Sequence, residues 1–163
     1  MIRAQRKRTV SIKDQDIQTI LFRNFRGAPD KYHKDGGNRT FTVVLTEDKA
    51  NELEEQGMSI RWKEFDDGTV EPRMKVTVRY DNIPPKVLMG TDPKRMIPLG
   101  EEDVHQLDNA ELVSVDLVIN PYRFEDKCTA YLQTGYFVVA PDVFSDKYSE
   151  YRDEDNDLPF EVE

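Results

Sequence analysis

The sequence predicts a mainly β protein: a small antiparallel barrel of five to six strands with one short helix inserted between strands. Short runs rich in β-branched and aromatic residues recur along the chain, separated by Gly, Pro, Asp and Asn. Only the stretch after Thr46 combines a cap, an acidic first turn and a stop, the marks of a helix. Strands spaced by turns, without a helix after each, indicate a barrel or sandwich rather than βαβ units.

Residues 1–16 are polar and read as a basic flexible arm. IQTILFRNF (17–25) is the first strand, followed by a polar loop with the turn Asp35-Gly36-Gly37-Asn38. RTFTVVL (39–45) is the second, with Phe41, Val43 and Leu45 on one face. Thr46 then caps EDKANELEEQ, a surface helix turning only Ala50 and Leu53 inward and stopped by Gly57. MSIRWKEF (58–65) and RMKVTVRY (73–80) flank the turn DDGT and form a hairpin. Pro84-Pro85 breaks the chain before a short strand at 86–90, and residues 100–110 suit a weak helix or a turn. ELVSVDLVINPYRF (111–124) and CTAYLQTGYFVVAP (128–141) pair as two long strands. A small barrel with one helix between its strands has the outline of an oligonucleotide-binding (OB) fold. The domain so defined is 17–141, and 142–163 reads as an acidic, disordered tail.

Charge is segregated along the chain, and the net −9 hides it. Residues 1–40 hold ten Lys+Arg against four Asp+Glu, whereas residues 141–163 hold two against nine. Fields act locally, so the basic first quarter suits a polyanion and the acidic end can compete for the same surface. No stretch reaches the ~20 apolar residues of a membrane span, and the basic start lacks the apolar core of a secretory signal. One cysteine, Cys128, forms no internal disulfide, and His33 and His105 have no zinc-ligand spacing. Phosphate loop, nucleophile elbow and HExxH motif are all missing, so the reading is non-enzymatic, with no metal or cofactor. Asp153, Asp155 and Asp157 alternate like the start of a calcium loop but lack its glycine.

Binding chemistry is better represented. Lys75 and Arg79 share one face of their strand, as do Arg61, Lys63 and Phe65 on the preceding one. Trp62 has the opposite parity, with Ile60, yet sits among cations. Arg23, Phe25 and Arg26 leave the first strand and Arg39 enters the second. Tyr122, Arg123 and Phe124 close the 111–124 strand, and Tyr131 and Tyr136 lie on the last. Cations interleaved with rings suit single-stranded nucleic acid: the charges hold phosphates and the rings accept unpaired bases. Strand aromatics also build cores, and strand cations also lie over apolar faces.

The stretches FRNFRG (22–27), NRTFTVVL (38–45), VRYDNIPPKV (79–87), QLDNAELVSVDLVINPY (106–122) and TAYLQTGYFVV (129–139) together resemble a family of bacteriophage single-stranded DNA-binding proteins. The resemblance implies an OB fold with an acidic tail, coating single-stranded DNA in phage replication, recombination and repair in the cytoplasm of the infected host cell. It implies replication or recombination proteins as partners of the tail; the residues themselves give no membrane partner, and barrel edges without a heptad or long apolar helix suit a monomer or homodimer. Bacterial proteins of this function end in Asp-Ile-Pro-Phe; here Asp153, Glu154 and Asp155 precede Asp157-Leu158-Pro159-Phe160. Glu161, Val162 and Glu163 follow, so a pocket that grips the Phe α-carboxylate loses that contact. Two other readings fit the residues: a non-enzymatic interaction or structural phage protein displaying an acidic tail, and an RNA-binding OB protein.

Overall fold

The computed structural model describes residues 9–29, 31, 34–81 and 83–141. They form nine strands, one α-helix and two short 3-10 turns. β1 (Val10–Ile12) leads through the turn Asp14–Asp16 into β2 (Ile17–Asn24), and β3 (Arg39–Leu45) follows. The helix α1 (Glu47–Glu55) precedes the hairpin of β4 (Arg61–Glu64) and β5 (Val70–Val78). β6 (Lys86–Gly90) and β7 (Ile97–Leu99) come next, then the turn Val104–Asp108. β8 (Leu112–Phe124) and β9 (Lys127–Val139) are the longest strands.

The main path of the sheet is β1-β8-β9-β5-β3-β2, with β4 added to β5 and the β6–β7 pair added to β9. The two ends of that path are consecutive in the chain, joined only by the turn at Asp14–Asp16. The sheet therefore curls until its ends meet there, without a ladder between β1 and β2. Asp14 fastens that corner: its amide donates to Asp116 (2.9 Å) and its carboxylate accepts from the Val115 amide (2.8 Å).

Three expectations are corrected. The strands number nine rather than five to six; two of the additional ones, Val10–Ile12 and Ile97–Leu99, have too few residues to show period-2 alternation. Residues assigned to the basic arm belong to the sheet, since Val10–Ile12 pairs with Ile119–Leu117 and Ile12 is fully buried. The sheet is also mixed, because β9 runs parallel to both β5 and β6. Its partner register passes from Thr77↔Tyr131 to Lys86↔Thr134, so the intervening chain, with Pro84 and Pro85, loops out of the sheet.

The core is apolar throughout, with no buried polar or charged side chain among the described residues. Its centre is an aromatic trio. Phe25 stacks on Phe41 with centroids 5.0 Å apart, and Phe137 meets both edge-on at 5.7 and 6.3 Å. Thr46 caps α1 by accepting from the Lys49 amide at 3.3 Å, and Ala50 and Leu53 are its buried residues.

Candidate nucleic-acid interface

β5 is the spine of the site. Pro72, Met74, Val76 and Val78 are buried, and between them Glu71, Arg73, Lys75 and Thr77 turn outward. Arg79 continues that parity just past the strand end. At ~3.3 Å per residue, Arg73 to Arg79 covers about 20 Å. The neighbouring strand adds no bulk, because Lys75 and Thr77 face Thr42 and Thr40 of β3. On the other side the register is Arg61↔Arg73 and Lys63↔Glu71, so Arg61 and Lys63 share this face. Two arginines directly opposite repel each other, and an anion laid across them removes that cost.

Rings stand at both ends of the spine. At one end the Arg73 guanidinium lies over Phe22 (5.7 Å) and Phe65 (5.9 Å), and the Lys63 ammonium is 5.9 Å from the Phe65 centroid. At the other end Arg79 lies over Tyr131 at 5.7 Å, and Tyr131 meets Tyr122 edge-on at 6.3 Å. A groove of about 510 Å³ opens there, lined by Arg79, Ile83, Pro84, Tyr122 and Tyr131 among others. A second, of about 600 Å³, shares Arg79 and Tyr131 with it and includes Arg39, Tyr80, Asp81 and Glu101.

Three of these cations, Arg39, Arg73 and Arg79, already touch a carboxylate. Asp81 takes the Arg79 guanidinium in a fork, from Nε at 3.1 Å and Nη2 at 2.9 Å. These bonds hold the Asp81 carboxyl below the usual carboxylate range and raise Arg79 further. Glu71 receives Nε and Nη2 of Arg73 at 2.9 and 2.8 Å, and Glu101 pairs with Arg39 at 3.2 Å. Arg39 also lies over the Tyr80 ring at 5.5 Å. Burial pushes the Tyr80 hydroxyl up, partly opposed by Arg39.

Several residues expected at the interface are placed elsewhere. Phe25 is fully buried in the aromatic trio and offers no face to a ligand. Arg23 donates to the carbonyls of Leu107 (2.8 Å) and Ala110 (2.6 Å), anchoring the Val104–Asp108 turn. Arg26 is exposed, but beside Asp108, whose carboxylate accepts from the amides of Phe25 and Arg26. Arg39 does reach the second groove, but its side chain is only 19% exposed and donates Nε to the Phe25 carbonyl. Trp62 packs against the core and donates its indole N–H to Glu54 at 2.8 Å, so it bridges the hairpin to α1. Arg123 donates to the Gln56 carbonyl at the end of α1. Phe124 is exposed at the β8–β9 turn, and Tyr136 faces Asp116 and Leu88, an acidic and apolar setting. The tail residues Asp153, Glu154, Asp155, Asp157, Leu158, Pro159 and Phe160 lie outside the described residues.

Two residues escaped the sequence reading. Arg73 has the parity of Lys75 and Arg79 and could have been found by extending that pattern. Phe22 could not, because a register shift between Leu21 and Asn24 breaks the alternation where it stands. Among the described residues there is no cluster of metal-ligating side chains, and no helix is long and apolar enough to cross a membrane.

A face of cations and rings on a curled β-sheet is accompanied by a match at the level of family. The model of the family described as "Putative phage ssDNA-binding domain" matches residues 1–163, and the chain belongs to that family. Among solved structures it is similar to the single-stranded DNA-binding protein from bacteriophage Enc34. That similarity has 10% sequence identity and a TM-score of 0.48, covering 86% of this chain and 89% of that one. No curated protein matches the chain.

Proposed function

We propose that this protein binds single-stranded DNA without sequence preference and coats it during phage DNA replication and recombination in the infected host cell. The observation that carries the reading is the outward face of β5, where Arg73, Lys75 and Arg79 run between exposed rings, on a chain of this family. Cations along the spine hold successive phosphates, while Phe22, Phe65, Tyr122 and Tyr131 take bases that a duplex would keep stacked inside. The binding domain runs to residue 141. The acidic segment 142–163 competes with DNA for the basic face, and DNA releases Leu158-Pro159-Phe160 to a replication or recombination partner.

The test is a titration of a fluorescein-labelled dT oligomer of about 30 nucleotides, which exceeds the ~4–16 nucleotides of one OB-type site. Anisotropy followed at two salt concentrations, with duplex of equal length as control, should show tight binding of the single strand alone. Three to five phosphate contacts predict a log–log salt slope of about −2 to −3.5. Equal affinity for duplex, or no binding at low salt with the tail removed, would overturn the reading.

A further inference from the structure

Phe22 is the most exposed ring on the cationic face, at 69%. It is also held at φ 54, a backbone region that costs an aromatic residue about 1–3 kcal/mol. The bulge between Leu21 and Asn24 imposes that conformation and turns the ring outward while Phe25 turns into the core. The partner of the ring is a flat cation, Arg73, which also lies over Phe65 and is tied to Glu71. A guanidinium is planar and stacks on rings much as a nucleobase does.

From this we infer that Phe22 and Phe65 form a base-binding clamp, and that Arg73 occupies it as a placeholder until DNA arrives. An entering base stacks on the rings and displaces the guanidinium. Arg73 exchanges Glu71 for the phosphate of the same or the next nucleotide. One residue thus covers both rings in the free protein and neutralises a phosphate in the complex. The clamp rests on the single-stranded DNA reading given above and names the subsite within it.

The test separates bases from phosphates. Anisotropy titrations compare a dT oligomer with an abasic oligomer of equal length, for the wild type and for Phe22→Ala, Phe22→Leu, Phe65→Ala and Arg73→Ala. Thermal melts confirm that each variant is folded, and Phe22→Leu keeps apolar bulk without a π face. The wild type should prefer dT, and loss of either ring should lower that preference about five- to 100-fold. Arg73→Ala should weaken abasic binding while leaving the preference for dT intact or larger. Unchanged preference in folded Phe22 and Phe65 variants would overturn the clamp. A collapse of preference in Arg73→Ala would make Arg73 itself the stacking platform and overturn the placeholder role. If the wild type binds neither oligomer, the single-stranded DNA reading fails, and the clamp with it.

Discussion

In the proposed complex, Asp81 would set how readily Arg79 takes a phosphate. Its two oxygens hold the guanidinium in the geometry a phosphate would use, and both groups are exposed enough to exchange. Replacing Asp81 with Asn removes the competitor and one repulsive charge. Asp81→Asn should tighten single-stranded DNA binding about two- to fivefold at low salt, with a steeper salt slope in the same anisotropy assay. The lowered Asp81 carboxyl keeps its pair intact until the pH falls below the ordinary carboxylate value of 3.8. Tyr80 carries the opposite linkage. Burial raises its hydroxyl above the ordinary tyrosine value of 10.0, so its contribution to stability is present below pH 10.0 and is lost as pH rises through the folded-state value. Spectrophotometric titration should find a tyrosine ionising above the ordinary value of 10.0, and Tyr80→Phe should remove it.

At the level of elements, β9 organises the sheet by pairing with β8, β5 and β6. The motif AYLQTGYF shows how. Tyr131 turns outward beside Arg79, Leu132 turns inward, and Gly135 leaves room for the Phe137 ring. A Cβ on Gly135 would stand 2.5 Å from Phe137 Cε2 and 3.1 Å from Cζ. Phe137 is fully buried against Phe25 and Phe41 and has little space to retreat. Gly135→Ala should therefore destabilise the fold by about 1–3 kcal/mol, measured by urea unfolding. The end of α1 depends on a similar fit: Gly57, at φ +90, lets the Arg123 guanidinium lie close and donate to the Gln56 carbonyl. An arginine that looked like a phosphate contact in the sequence is thus a helix clamp.

Across the whole molecule, a chain of net charge −9 has to bring a polyanion to one cationic face. The face is local, while residues 142–163 hold two basic against nine acidic residues. Deleting 142–163 should tighten single-stranded DNA binding, most at low salt and hardly at all once the screening length falls to ~8 Å near physiological ionic strength. Equal affinity of full-length and truncated protein at low salt would remove the tail from the binding equilibrium.

The sequence by itself determined what is local. Period-2 alternation identified β3, β5, β8 and β9, and Thr46 and Gly57 bounded α1, because pleat geometry and capping act over a few neighbouring residues. Strand parity also grouped Arg61, Lys63, Lys75 and Arg79, which the register puts on one face. Within FRNFRG it failed. A single bulge sends Phe22 to solvent, Arg23 to backbone carbonyls and Phe25 to the core, and period 2 cannot foresee that. Only the tertiary structure decided which strands run parallel to β9, which cations are held by carboxylates and which rings are exposed on the cationic face. Those outcomes depend on residues far apart in the chain, whose proximity exists only once the sheet has curled.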